Sequence, residues 1–202
     1  MARIKVKNWI YLFSIVAVFS VYSCAYFEGN EYSRLVKKEL AKGTRNDSLF
    51  MGIYLGMSSK DFYSHCWDMN KKGLFTNGTM NNTVMYSMGN DLKYPAIMNF
   101  YPAFYKDRIY TMQVSYEYKA WAPWNKAQYS DSLLPDVLNL YKKWYATGND
   151  FIEMNSKDRR TVYVKIDGNR RITVGRYDDK LVKVDYTDLI VEEKLKEAQP
   201  KK

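Results

Sequence analysis

The side chains best suited to nucleophilic or metal chemistry are few in this 202-residue chain: one histidine, His65, and two cysteines, Cys24 and Cys66. His65 and Cys66 are neighbours within a predicted helix, so their side chains point about 100° apart around its axis. They cannot form with each other the nucleophile–base pair that acyl-transfer enzymes use. Cys66 is better interpreted as a small buried hydrophobic residue.

Other catalytic signatures are missing from the sequence as well. The single histidine and the cysteines do not supply the ligand set of a typical zinc site. The chain contains no glycine-rich phosphate loop, nucleophile elbow or calcium-binding loop. The sequence therefore predicts a protein with no catalytic residue, no metal and no cofactor. A hydrolase that uses two carboxylates brought together in space stays open as an alternative, because sequence spacing does not exclude it.

Cys24 closes a segment that is typical of an export signal. The segment begins with three basic residues, Arg3, Lys5 and Lys7, and no acidic residue precedes Glu28. An apolar run from Trp9 to Tyr22 follows. At about 14 residues this run is too short for a membrane-spanning helix, which needs roughly 20, and it fits the apolar core of a signal peptide.

The end of the run, Val21-Tyr22-Ser23-Cys24, resembles the lipobox of bacterial lipoproteins, which closes with an obligatory cysteine. The resemblance implies that Cys24 receives a diacylglyceryl thioether and that residues 1–23 are cleaved off as a lipoprotein signal peptide. The lipid chains would then hold the mature protein stably on a membrane. An uncleaved signal anchor, or an ordinary signal peptide followed by a chance cysteine, is the alternative.

The first residues of the mature chain bear on the compartment. Ala25 differs from the aspartate that retains lipoproteins at the inner membrane of enteric bacteria, so the resemblance implies the outer membrane. The aromatic- and Asn-rich composition resembles lipoproteins of Bacteroidetes, whose surface-displayed members often carry an acidic cluster after the cysteine. Glu28 and Glu31 are isolated here, which favours the periplasmic face. Asp47-Ser48-Leu49 and Asp131-Ser132-Leu133 resemble the O-glycosylation motif of that group, although such triplets also arise by chance at turns and caps.

Export also limits the partners that we expect. Three of the 31 basic residues lie in the leader, so the mature chain carries 28 basic and 22 acidic residues, a net charge of +6. A nucleic-acid partner is not expected, because export separates the protein from nucleic acid. The positive charge suits anionic lipid headgroups or cell-wall polymers, or it belongs to an ordinary solvated surface. The roughly 180 residues of the mature chain are enough for one domain with its own core.

Hydrophobic periodicity predicts an α+β fold, a helix plus an antiparallel β-meander. Residues 24–48 form a predicted tether with a short helix at 31–42, residues 49–198 form the α+β domain, and residues 199–202 form a basic tail. The domain contains a helix over 58–72, capped by Ser58, and a second helix that starts at 131 or 132. The predicted strands are 49–55, 84–87, 94–105, 109–119, 161–166, 172–174 and 182–186, followed by a closing helix over 189–198.

The strand over 109–119 has the clearest pattern. Its apolar positions are Tyr110, Met112, Val114, Tyr116 and Tyr118, and its polar positions are Thr111, Gln113, Ser115, Glu117 and Lys119. Strict alternation of this kind predicts a strand of an antiparallel sheet with one face on the core and the other exposed.

The order of a helix followed by strands occurs twice, which predicts a duplication into two α-β-β-β units that pack their helices on one sheet. The units cover about 49–119 and 131–187. Residues 105–114 and 177–186 share the order aromatic, polar, Asp, basic, aliphatic, at an offset of 72 residues. A chance likeness between two hairpins with charged turns is the alternative explanation.

Two further resemblances concern this domain. Tandem units of a helix and a meander resemble the β-lactamase inhibitory proteins, whose two repeats share one sheet. Residues 56–62, Gly-Met-Ser-Ser-Lys-Asp-Phe, resemble the start of the first helix in the small lipoproteins of the β-barrel assembly machinery. The first resemblance is one of topology and the second covers a helix-capping pattern, so neither assigns a functional residue.

The connector over 120–130 carries the residues most suited to binding. Trp121 and Trp124 flank Pro123, and together they could present a flat aromatic surface to a sugar ring or a protein partner. Alternatively, both tryptophans fold inward and seal the junction between the repeats. The sequence thus predicts a non-enzymatic, lipid-anchored cell-envelope protein that binds or scaffolds an envelope partner. A glycan- or peptidoglycan-binding lipoprotein and a hydrolase of unknown type are the alternatives.

Overall fold

The computed structural model describes residues 31–78, 83–156 and 160–198. The predicted signal peptide, Cys24 and the basic tail over 199–202 lie outside the described residues. Among the described residues, no helix is both long and apolar enough to cross a membrane.

Helices and strands follow one another in two similar runs. Helix α1 covers residues 31–41, and α2 covers Ser59–Lys71. The strands that follow are β1 (Phe75–Asn77), β2 (Val84–Met88), β3 (Ala96–Tyr105) and β4 (Arg108–Tyr118). A 3₁₀ turn (Lys126–Gln128) leads into α3 (Ser130–Trp144). The chain ends with β5 (Ile152–Asn155), β6 (Thr161–Asp167), β7 (Arg170–Arg176), β8 (Val182–Asp188) and α4 (Leu189–Ala198).

All eight strands form one sheet in the order β1-β2-β3-β4-β8-β7-β6-β5, and every neighbouring pair is antiparallel. The predicted α+β class with an antiparallel meander is therefore confirmed. Each run contributes four consecutive strands, and the two sets of four meet where β4 pairs with β8. This junction lies at the centre of the sheet, so it holds the two halves together.

The main core lies on one face of the sheet. Side chains alternate along β4 and β8, so that Val114, Tyr116, Val184 and Tyr186 point to the same side and are buried. Helices α2 and α3 cover this face, and Phe62 of α2 belongs to the same core cluster. A smaller cluster on β5 and β6, built on Val164 and Ile166, packs against α1 and the start of α4. Because Val164 pairs with Thr173, whose neighbours Ile172 and Val174 face the main core, this cluster lies on the opposite face.

The prediction of a strand over 49–55 is wrong, although the prediction that this segment is buried is correct. Leu49, Ile53 and Leu55 are buried, but the backbone turns sharply where Met51 and Gly52 have φ of 48° and 83°. A continuous apolar run indicates burial and does not by itself distinguish a strand from a buried loop. This loop covers the end of the core in place of a strand.

The sequence predicts the long strands but does not predict two short ones. β1 has three residues and β5 has four, too few for a period to show in sequence. The strands predicted at 94–105 and 109–119 are confirmed as β3 and β4. The pairing register of β3 and β4 shifts at a bulge in β4, where Tyr110 is the extra residue opposite Ala103 and Phe104. The bulge gives the core position at the start of β4 to Ile109, whereas the alternation pattern predicts Tyr110 there.

The cap of α2 forms as predicted. Ser58 has extended backbone, and its Oγ accepts a hydrogen bond of 3.1 Å from the backbone N–H of Asp61. The same hydroxyl donates to the Asp61 carboxylate at 2.6 Å. Gly73 follows the helix with φ of 72°, a conformation that glycine adopts without steric cost.

Residues 31–48, which the sequence assigns to the tether, pack on the domain. Glu39 is buried and accepts hydrogen bonds from Lys42 Nζ at 2.6 Å and from the backbone N–H of Gly168 at 3.1 Å. Burial raises the pKa of Glu39, but these hydrogen bonds outweigh burial and hold the pKa below its ordinary value of 4.5. The backbone N–H of Asn46 donates to Asn169 Oδ1 at 2.7 Å. These contacts fix α1 to the turn between β6 and β7.

Candidate functional site: the open face of the sheet

The centre of the sheet has one face that no described helix covers. Helices α2 and α3 pack on the core face, and the cluster with α1 and α4 lies at the β5–β6 end. We call this uncovered surface of the central strands the open face. It contains a hollow of about 320 Å³. Its lining includes Asn99, Tyr101, Gln113, Ser115, Lys183 and Asp185.

Strand pairing places these residues in two rows across β3, β4 and β8. One row runs Asn99, Ser115, Lys183, and the next runs Tyr101, Gln113, Asp185. Gly175 and Thr173 continue the rows on β7. The small side chain of Ser115 stands in the middle of the first row and leaves space above the sheet for the hollow.

Asn99 is the least satisfied polar residue of the open face. Its side chain is 5% exposed, and its Oδ1 has no hydrogen-bond partner. More than 90% of buried polar groups in proteins have a partner, so such an atom calls for an explanation. A buried acceptor left unpaired costs about 1–3 kcal/mol.

Charged and aromatic groups stand at the other side of the hollow. The surrounding protein raises the pKa of Asp185 above its ordinary value of 3.8, and the charges of Lys183 and Arg171 lower it again in part. Asp185 is nevertheless an exposed residue, so the free energy that its carboxylate loses through partial removal from water is small. The ammonium of Lys183 lies 3.4 Å from the ring centroid of Tyr177, a cation–π contact with a half-exposed ring.

These groups can recognise a polar surface. The lining offers amide, hydroxyl, ammonium and aromatic groups, and Asp185 is the one carboxylate among its described residues. Among the described residues that line the hollow there is no histidine or cysteine. Across the described ranges, no group of three or more His, Cys, Asp or Glu residues could hold a metal ion. The arrangement suits binding by hydrogen bonds and aromatic contact.

The two tryptophans of the connector have different surroundings. Trp121 is half-buried, with its ring 6.1 Å from that of Tyr129 and the ammonium of Lys180 at 5.7 Å from its centroid. Its Nε1 is buried without an acceptor. Trp124 is 85% exposed, which is the highest exposure among the large hydrophobic residues of the described chain. The tryptophans share a loop, but within the described residues no ring contact joins them.

His65 and Cys66 occupy separate environments, as their adjacency on a helix predicts. His65 Nε2 lies 2.8 Å from the carbonyl oxygen of Met51, and this contact ties α2 to the buried loop before it. Cys66 is half-buried against the main core. Burial raises the pKa of the Cys66 thiol to about 11.

The raised pKa predicts slow alkylation of Cys66. Only the thiolate reacts, and an unperturbed cysteine has a pKa near 8.5. In a Cys24→Ser background, the rate with iodoacetamide at pH 8.5 should be about a hundredfold below that of a free thiol, and it should rise steeply toward pH 11. Mass spectrometry of samples quenched at successive times measures the rate. A rate that levels off below pH 9 would contradict this prediction.

Comparisons with protein-family models, curated proteins and solved structures give no match for this chain. The candidate site therefore has to be argued from the geometry. Alternation along β4 already predicts that Gln113 and Ser115 face away from the core. Sequence reasoning missed Lys183 and Asp185 because nothing local shows that β8 pairs with β4. It also missed Asn99, which lies in a strand with mixed pattern.

Proposed function

We propose that this chain is a non-enzymatic lipoprotein that binds an envelope protein through the open face. Cys24 would carry the lipid and hold the domain at the outer membrane, on its periplasmic side. The observation that carries the binding proposal is the hollow over β3, β4 and β8, whose lining offers amide, hydroxyl, ammonium and aromatic groups and which no described helix covers. Concave surfaces with a few convergent polar groups are the usual places where proteins bind other molecules.

The composition of the open face supports a protein partner. Tyr101 and Tyr177 offer large amphipathic rings, a residue type that is enriched at the energetic centres of interfaces. Asn99, Gln113 and Ser115 offer both donors and acceptors between them. The sheet beneath is held by antiparallel neighbours on both sides, so the binding groups stand on rigid strands.

Filling the hollow should block the partner. In Ser115→Arg, a long side chain enters the hollow between Asn99 and Lys183, while the core face of β4 stays unchanged. We expect recovery of a specific partner, by crosslinking in cells and mass spectrometry, to fall about tenfold or more. The unfolding midpoint should shift little, because the side chain points away from the core.

Ser64→Arg is the matched control. Ser64 is exposed on α2, so the same substitution there leaves the open face intact. The control should recover the partner as well as the unchanged protein does. Equal recovery from both arginine variants, or capture of nothing except abundant neighbours, would refute binding at the open face.

Glycan binding at the connector is the second candidate. The 85% exposure of Trp124 supports it, because an indole held in water is available to stack on a sugar ring. The packing of Trp121 against Tyr129 limits the platform to one tryptophan. Retention on insoluble peptidoglycan or polysaccharide that is lost in Trp124→Ala would favour this function over protein binding.

We also propose that the two runs of the fold are duplicated units. Both consist of a helix and four strands, and the sheet order mirrors about the β4–β8 junction. Gln113 and Asp185, which the predicted offset of 72 residues makes equivalent, pair directly with each other. Such a pair lies on the axis if a two-fold rotation relates the halves. An experimental structure in which the halves do not superpose by that rotation would contradict the proposal.

A further inference from the structure

A second concave site lies between α2 and the first two strands, and a hydrogen bond of 2.8 Å between the hydroxyls of Tyr63 and Tyr101 connects its border to that of the open face. This α2–β1 groove has a volume of about 520 Å³ and shares no lining residue with the hollow of the open face. Its lining includes Tyr63, Trp67, Asn70, Phe75, Thr76 and Asn77. Its volume is in the range of about 300–1,000 Å³ that is typical of small-molecule sites.

We propose that the α2–β1 groove binds a neutral oligosaccharide. Trp67 is 64% exposed and Tyr63 is 51% exposed, and they stand one helical turn apart on α2. Keeping two large rings in water forfeits the favourable burial of their apolar surface. A pyranose ring presents an apolar C–H face that these rings can cover.

Polar groups stand beside the rings in the groove. Thr76 and Asn77 of β1 are exposed, and Asn70 is held toward β1 by a hydrogen bond of 2.7 Å from its Nδ2 to the carbonyl oxygen of Phe75. Amide and hydroxyl groups both donate and accept, which matches the hydroxyl groups of a sugar. Aromatic faces with amides and a hydroxyl around them therefore fit a polyhydroxylated ring better than a purely apolar ligand.

The charge of the groove favours an uncharged ligand. Charged residues make up 26% of the chain, yet every described residue that lines the groove is uncharged. One cation borders it: the ammonium of Lys71 lies 5.5 Å from the ring centroid of Trp67, and Asp68 Oδ1, 3.8 Å from the same ammonium, offsets its charge. A charged ligand would lose hydration here and would meet only a charge that already has a partner. A neutral sugar loses only hydrogen bonds that the groove can replace.

Cys66 gives a direct readout, because its thiol lines the groove. In the full chain with Cys24→Ser, Cys66 is the only cysteine, so alkylation of the protein reports on the groove alone. We would add maltotetraose, cellotetraose or chitotetraose as neutral probes and polygalacturonate as the charged comparator. At ten times its dissociation constant, a bound sugar should slow alkylation about tenfold.

Two tryptophan variants separate this groove from the connector. Trp67→Ala should weaken protection of Cys66 about tenfold or more, because truncating a central ring removes most of the contact. Trp124→Ala is the matched control and should leave protection unchanged, since Trp124 is not part of the groove. Circular dichroism checks that both exposed positions tolerate the change.

Three results would overturn the proposal. They are no protection by any neutral probe at millimolar concentration, stronger protection by polygalacturonate, and protection that survives Trp67→Ala. Specific protection by an extended hydrophobic peptide in place of the sugars would assign the groove to peptide binding and also overturn it. None of these results bears on the open face, so the proposed partner binding stands or falls separately.

Discussion

Replacing Cys24 with alanine should abolish lipid labelling and release an otherwise folded protein from the membrane. The effect should be complete, because the lipobox resemblance gives Cys24 sole responsibility for the anchor. Lipid chains contribute about 0.8 kcal/mol for each buried CH₂ group, so their loss removes a large part of the free energy of membrane binding. Labelling with an alkyne-tagged fatty acid, followed by membrane fractionation, measures both consequences.

The second cysteine supplies the control. Cys66→Ala should keep full labelling and membrane retention, because Cys66 lies within α2, on the core side of the domain. Circular dichroism of the released Cys24→Ala protein should match that of the anchored protein. Labelling that persists in Cys24→Ala, or a protein that stays in the membrane fraction without labelling, would contradict the lipoprotein assignment.

The second large effect concerns a buried ion pair at the end of β6. Lys165 Nζ lies 3.2 Å from Asp167 Oδ2, and both side chains are almost fully buried. Asp167 Oδ1 also accepts a hydrogen bond of 2.8 Å from the backbone N–H of Asn149. Asp167→Asn keeps the shape but leaves the Lys165 ammonium buried without its counter-charge. Removing one partner of such a pair costs about 3–5 kcal/mol, which is a large share of a domain's stability.

Urea unfolding measures this loss as a lower midpoint. Asp150→Asn is the matched control, because Asp150 is exposed in the adjacent loop, and its effect should stay within about 0.5 kcal/mol. A double variant, Lys165→Met with Asp167→Leu, should recover only part of the stability, because it removes the charge of Lys165 but leaves the buried guanidinium of Arg170, 3.7 Å from Asp167 Oδ2, without that partner. A fall of less than about 1 kcal/mol in Asp167→Asn would show that the pair is not buried as described.

Local signals in the sequence were enough for much of the fold. The cap at Ser58, the glycine after α2 and the alternation along β4 each report on residues within a few positions of one another. Long strands show their period, and short ones such as β1 and β5 do not. The run over 49–55 failed for a related reason, because its apolar content reports burial while Gly52 decides the backbone path.

Two residues of the open face could be predicted from the sequence. Gln113 and Ser115 follow from the alternation of a single strand. Lys183 and Asp185 join them only because β8 pairs with β4, a contact between residues about 70 positions apart. The Lys165–Asp167 pair was also hidden, because a charged residue in a strand ordinarily predicts exposure. For the open face and the buried ion pair, the sequence therefore did not reveal which distant strands pair or which charged residues are buried.

A photoreactive amino acid placed at Gln113 tests partner binding most directly. Gln113 is exposed at the centre of the open face, so irradiation of living cells should yield one reproducible crosslinked partner. The same amino acid at Ser64, on the outer surface of α2, is the control and should not yield that partner. We predict a specific adduct from position 113 that disappears when Ser115→Arg is added. The same set of abundant neighbours from both positions, or a specific adduct from position 64 alone, would contradict binding at the open face.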